Sequence, residues 1–491
     1  MGNALFSSVR ERIQGEMAEA FIPGFAVGVA REGDLLWEEA FGWADREQRI
    51  AADEHTMFSL ASISKPITAT GLMKLVEQGK IELDQPINEY VSKDSQLKVW
   101  IGEPDEVTVR RVANHTSGLP LHYHFFPEDG PTKPQMEESI RRYGNVVCPA
   151  GEQYRYSNIG YGILDHLIER VSGMGYAEFM RREVFLPLGM TRASVDIAPG
   201  LEAYQAKRYT NDGLPLPFYD FDHSGASAVF CSAHDLLRFG MFHLKQRLPD
   251  QKAVLSDESV DAMQVPTAEQ DQGNPAASNL RSTSKYGIGW AINDDELGLR
   301  ISHSGGMGGV STKLTMLPCE SIVIVTLANT SHPLAHTLDT DILSVLIPGF
   351  GDKLAEFRAK QEDSKTHLRA TTDEPINRFE PVPDLLGDWT GTVHTYQGEV
   401  PLQISFKPSG DIHACLSDQM WTLVNDAKFE NDCLTGKMFG HISTEDANRY
   451  RHHLHLDLKL GEGALNGTLH AMSHGCKLGY ALGHWCEVWK Q

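Results

Sequence analysis

Positive charge is in deficit along this chain: 44 lysines and arginines face 66 acidic residues, a formal net charge of −22 over 491 residues. Such an excess repels phosphate backbones and anionic headgroups, and no basic stripe offsets it, so neither nucleic acid nor a membrane surface is an expected partner. No window approaches the roughly 18 apolar residues of a membrane span. The opening stretch MGNALFSSVRERIQGEMAEAF has no apolar core of secretory length before its first charges, so a cytoplasmic location is expected. Gly2 invites an N-myristoylation reading, but Phe6 stands where that signal needs Ser or Thr. Cysteine is scarce, odd in number at seven, and forms no CxxC pair. Reduced, mostly buried thiols are expected, with Cys476 and Cys486 alone close enough in sequence to suggest a bridge. The GxSxG elbow is missing, which removes the nucleophile of an α/β-hydrolase. No HExxH or Cys/His pattern completes a metal site around His122 and His124 or around His452-His453-Leu454-His455. Those histidines read as surface or strand-face residues, and no metal or cofactor is expected.

What is present is the composition of a folded protein, 41% hydrophobic and 22% charged, with length for two to four domains. FAVGVAREGDLLWEEAFGWAD reads as a hairpin turning at Glu32-Gly33-Asp34, and ITATGLMKLVEQGK as an apolar-striped helix stopped at Gly79. YGILDHLIERVSG reads as a second amphipathic helix ending at Gly173, and YGIGWAIN, LRISHSGG, STKLTMLP and SIVIVTLAN as strands. Strands at both ends of a helical middle predict one antiparallel sheet with helices packed on it, an α/β (α+β) layered domain over residues 1–348. Residues 349–383 are charged and then proline-punctuated, a helix and linker. From 384 to 491 eight short alternating runs predict a small closed β-barrel, with a β-sandwich as the alternative. Trp389, Trp421, Trp485 and Trp489 are assigned to its core.

Chemistry concentrates in Ser62-Ile63-Ser64-Lys65 at the start of the first helix. A three-residue spacing puts the serine and lysine on one helical face, where a lysine of lowered pKa can take the serine proton. Alone, SxxK also describes a capping serine and a surface lysine. Two further segments decide between these readings: Pro149-Ala150-Gly151 leading to Tyr156-Ser157-Asn158, and His303-Ser304-Gly305-Gly306 on a strand.

Together with Asn114-His115-Thr116-Ser117-Gly118-Leu119, these segments resemble the class C β-lactamase and penicillin-binding-protein superfamily of serine hydrolases across roughly residues 10–345. The resemblance implies that Ser62 attacks a carbonyl while Lys65 and Tyr156 share general-base duty, with Tyr154 as the rival tyrosine. It further implies that Asn158 holds Lys65 or a substrate amide, and that the Ser62 and Gly306 amides form an oxyanion hole, with Gly305 and Gly306 allowing close approach. His303 stands where the superfamily often has lysine. A neutral imidazole there is less suited to a substrate carboxylate and looks like the esterases, the D-amino-acid-specific peptidases and the peptide cyclases. Relatives of the last two groups carry a lipocalin-like extension, matching the barrel. The expected substrate is a small ester or peptide-like amide. Acyl transfer with peptide cyclisation, β-lactam hydrolysis and a silent penicillin-binding-like sensor are the alternatives, and a homo-oligomer is possible.

Overall fold

The structure, a computed structural model, describes residues 2–269, 284–370, 379 and 382–491. In chain order it runs through a hairpin of β1 (Gly24–Arg31) and β2 (Asp34–Asp45), helix α1 (Ser64–Glu77), strand β3 (Tyr123–Pro127) and helix α2 (Asn158–Ser172). Strands β4 (Gly298–Met307), β5 (Val310–Leu317) and β6 (Ile322–Ala328) follow, and after the barrel strands comes β7 (Tyr480–Lys490).

Local chemistry sets the ends of these elements. Glu32 and Gly33 both take positive φ, at 55° and 85°, the backbone of a two-residue hairpin turn that matches strand twist. Gly173 closes α2 in the left-handed conformation at φ 72°, and Gly79 does so beyond α1 at φ 65°, both as expected of helix-ending glycines. The main sheet is antiparallel and nine-stranded among the described residues. β1 lies inside it, third from one edge, paired on one side with β2 and on the other with β6, Phe25 opposite Ala328 and Arg31 opposite Ile322. The two ends of the predicted domain therefore do build one sheet. Phe25, Val27 and Val29 pack against the helices Ser7–Glu19 and Leu334–Leu346, while Ala26 and Ala30 face the opposite core. On that side Gly28 lets helix Ala233–His243 settle onto the sheet, since a Cβ there would lie 2.7 Å from a Leu237 methyl.

The C-terminal residues form a nearly closed barrel. Its described strands number nine, not eight, in the spatial order 422–423, 412–416, 398–406, 387–395, β7, 464–473, 452–461, 433–438 and 425–430. The run WTLVNDAKF breaks at Val424, whose amide turns to Ile412 O, and Asp426 takes φ 51°. Leu454, Leu456 and Leu458 fill the interior while the neighbouring His453 and His455 lie part-buried on the opposite strand face; His452 shares the leucines' side and is engaged by Ile442 N and Tyr480 Oη. Three tryptophan assignments need correction: Trp389 is in the barrel core, but Trp485 is buried on the outer face of β7 against Trp100, and Trp421 and Trp489 are 49% and 46% exposed. Trp489 follows inward Val488 on β7 and so points out. The charged segment is a helix over Phe350–Ala370, while most of the predicted linker, 371–378 and 380–381, lies outside the described residues. All seven cysteines are unpaired, Cys476 and Cys486 included.

β7 is buried without alternation from Tyr480 to Cys486. One face lines the barrel, and the other meets the first unit, where Trp100 stacks on Trp485 at 6.1 Å and Pro120 leaves no room for a Cβ on Gly483. The strand also pairs with β3, Tyr480 opposite His124. No described helix is long and apolar enough to cross a membrane.

Candidate active site

Ser62 sits at a backbone reversal. Strand Phe58–Ser59 ends, Ala61 takes a left-handed φ of 49°, and a short helical turn then runs into α1. A β-carbon in that region costs about 1 kcal/mol or more, and the reversal leaves Ser62 partly exposed while Ala61, Ile63, Ser64 and Lys65 are buried. Thr312 of β5 fixes the bend by donating to Leu60 O at 2.8 Å.

Two groups meet the Ser62 hydroxyl. Tyr156 Oη donates to Ser62 Oγ at 2.8 Å, and Lys65 Nζ lies 3.2 Å from the same oxygen. Lys65 also reaches Asn158 Oδ1 at 2.8 Å and Ala226 O at 3.2 Å. Burial holds this amine well below the usual lysine range, because an ammonium loses more hydration than a neutral amine. The Lys65 nitrogen stands 4.7 Å from the Tyr156 ring centre. Burial pushes the Tyr156 phenol up, opposed by its bond to Ser62, so at neutral pH it is a phenol. Asn158 is committed on both ends: its Nδ2 donates to His122 O at 2.6 Å.

Tyr156, not Tyr154, carries the hydroxyl that reaches Ser62. Tyr154 is buried, with its ring packed on His115 and Tyr286. The reason lies in His115, to which sequence reasoning gave no role. Its carbonyl accepts from Arg155 N at 2.7 Å and its Nδ1 from Ser157 N at 3.2 Å, pinning the backbone on both sides of Tyr156. His115 itself adopts φ 63°. Tyr156→Phe is expected to lower kcat by about 10²-fold or more, whereas Tyr154→Phe keeps most activity in the same ester assay.

β4 brings the third segment alongside. A Cβ on Gly305 would fall 2.1 Å from Leu60 O and 2.3 Å from Thr312 Oγ1, while the same position on Gly306 meets open space. Gly305 thus permits contact with the Ser62 bend, and Gly306 borders room for a ligand. His303 is buried and committed: Nδ1 lies 2.7 Å from Ser304 O and Nε2 3.0 Å from Tyr286 Oη. The tautomer that fits is Nδ1–H donating to the carbonyl while Nε2 accepts from the phenol. Burial, reinforced by nearby Lys65, takes its pKa down to about 3, so the ring is neutral. Tyr286 is a second residue that sequence reasoning missed, since nothing in its local pattern marks it.

His122 and His124 depart from expectation. Neither is a surface residue; both are 1% exposed, because β3 is sandwiched between β7 and strand Tyr219–Phe221. His122 Nε2 bonds both oxygens of Asp222, at 3.1 and 3.0 Å.

Residues 9–347 match the family model described as Beta-lactamase. Penicillin-binding protein 4* of Bacillus subtilis is 28% identical over 58% of this chain, which spans 63% of that relative's length. Unguisins hydrolase of Aspergillus campestris is 26% identical over 67% of this chain and 63% of its own length. Among solved structures, the octameric penicillin-binding protein homologue from Pyrococcus abyssi superposes with a TM-score of 0.61 at 20% identity, covering 98% of this chain and 99% of its own. That likeness includes the barrel and concerns the fold. With the extent of the family match, these place the chain in the beta-lactamase family of penicillin-binding-protein-like serine hydrolases.

Proposed function

We propose that this protein hydrolyses an uncharged ester or a peptide-like amide, D-configured peptides included, through an acyl-enzyme on Ser62. The observation that carries this reading is the Ser62 oxygen held between Lys65 Nζ and Tyr156 Oη at 3.2 and 2.8 Å. A neutral lysine amine has two N–H bonds and one lone pair. Asn158 Oδ1 and Ala226 O accept the two N–H bonds, leaving the lone pair for the Ser62 proton. Ser62 Oγ then bonds the carbonyl carbon, Lys65 takes the proton, and the Tyr156 phenol passes a proton to the departing alcohol or amine. Water repeats the sequence in reverse to free the acid. The Ser62 and Gly306 amides, on the two segments whose contact Gly305 permits at Leu60, are assigned to the developing oxyanion.

His303 narrows the substrate. A neutral ring with both nitrogens engaged supplies no cation for a carboxylate, which favours uncharged acyl groups over β-lactams and free peptide termini. A fluorophosphonate should label wild-type protein at Ser62 and leave Ser62→Ala unlabelled. Folded wild-type protein that takes no label would reject the reading. A panel of p-nitrophenyl esters, D- and L-peptide amides and a chromogenic cephalosporin then ranks substrates, with the esters and neutral amides expected first. A cyclic product from a linear peptide would assign the acyl-enzyme to transfer rather than hydrolysis.

A further inference from the structure

We propose that Asp222 is a positioning residue for Lys65, acting through a buried clamp that it forms with His122 and His223. The inference rests on the reading of Lys65 as the base. The Asp222 side chain is 0% exposed and is bonded by His122 Nε2, by His223 Nδ1 at 2.7 Å and by Ser139 Oγ at 3.2 Å. Those donors come from three separate segments: the stretch before β3, helix Met136–Tyr143 and the turn into helix Ser224–Ser227.

Two of the segments also hold Lys65. The His122 carbonyl receives Asn158 Nδ2, which turns Asn158 Oδ1 toward the lysine. Three residues beyond His223, the Ala226 carbonyl takes the second Lys65 contact. Both acceptors of the lysine N–H bonds therefore hang from segments tied at one carboxylate. Asp165 reinforces the second of them, accepting from Gly225 N at 2.5 Å. Burial alone would raise the Asp222 pKa, but His122 and His223 outweigh it and hold the carboxyl well below the ordinary range, so the hub stays ionised. An ionised carboxylate deprived of these donors in the interior would be strongly unfavourable, which makes the arrangement stiff.

The same three groups lie within 4.8 Å of one another, a spacing that ligands of a divalent ion share. Two facts favour the clamp. Asp222 is already satisfied by its donors, and His122 Nδ1 is buried without an acceptor, whereas a metal-bound imidazole ordinarily donates its second N–H.

The test compares Asp222→Asn, His122→Leu, His122→Gln and Lys65→Ala for kcat, KM and the pH dependence of kcat/KM on an ester, with thermal unfolding and metal content measured on each. Asp222→Asn and His122→Leu are expected to lower kcat by about 10²-fold, the effect of a misplaced group one shell from the chemistry, with KM little changed. His122→Gln keeps an N–H at the Nε2 position and restores most activity. The acid limb of kcat/KM supplies the discriminating readout. Lys65 works unprotonated, and burial is what lowers it; a loosened cage admits water, raises its pKa and moves the limb to higher pH. The other titratable groups facing Lys65 are Tyr156, Tyr161, His115, His223 and His303, and all are intact in Asp222→Asn and His122→Leu. A folded Asp222→Asn with wild-type kcat and an unmoved limb overturns the clamp. Should Asp222→Asn fail to fold, equal activity of His122→Leu and wild type overturns it. One equivalent of divalent metal whose removal abolishes activity overturns it in favour of a metal site. An active Lys65→Ala rejects the base assignment itself, which separates that failure from failure of the clamp alone.

Discussion

Replacing Lys65 with alanine lowers the rate of Ser62 acylation by about 10²–10⁴-fold, the span over which a positioned general base acts. The substitution removes the one amine within reach of Ser62 Oγ among the described residues, and Tyr156 does not replace it, because burial keeps that phenol protonated. The fold is expected to survive. The vacated space is lined by polar acceptors, Asn158 Oδ1, Ala226 O and Ser62 Oγ, and water can occupy such a site. Single-turnover acylation with a p-nitrophenyl ester, read beside the unfolding temperature, checks both halves. Retention of more than about a tenth of the wild-type rate contradicts the assignment.

Gly305→Ala is the second change of large effect, and its cause is steric. Ordinary contacts begin near 3.4 Å, yet the added methyl would stand 2.1 Å from the Leu60 carbonyl, a backbone atom that cannot swing aside. Either β4 withdraws from the Ser62 bend or the bend moves, and displacement of about 1 Å at a reacting centre costs about 10²-fold in rate. Thermal stability should fall too, since Thr312 Oγ1 is crowded at 2.3 Å in a packed core. Gly306→Ala is the control: its methyl enters open space, so the unfolding temperature should hold. Equal tolerance of both substitutions would show that β4 is not braced against Leu60.

Some of this architecture is legible in sequence and some is not, for reasons of range. The turn at Glu32-Gly33 and the helix stop at Gly173 are readable because each depends on a few adjacent residues. The three Ser62, Tyr156 and His303 segments are readable because the family resemblance supplies their association; periodicity says nothing of how Asn158 finds Lys65. The surface reading of His122 and His124 fails because their burial is created by β7, more than three hundred residues away in the chain, through the pairing of Tyr480 with His124. Trp421 and Trp489 show the complementary error. Aromatic character suggests a core, but Trp489 alternates with inward Val488 on β7 and Trp421 lies outside the strands, just before 422–423. His115 and Tyr286 act through ring packing and single hydrogen bonds, for which no spacing rule exists.

The sheet that joins β1 to β6 sets an order of events on the ribosome. β1 ends at Arg31 and its partner begins at Ile322, so at 5–20 residues per second this interior strand waits roughly 15–60 seconds for its neighbour to emerge. During that interval β1 has only the β2 edge satisfied, and its apolar residues Phe25, Val27 and Val29 are without half their packing. The wall around β3 waits longer still, until β7 has been made. The Ser62 bend likewise waits for β4 and β5, whose Gly305 and Thr312 fit against Leu60, so a nascent chain stalled before them carries SxxK without the strands that brace it.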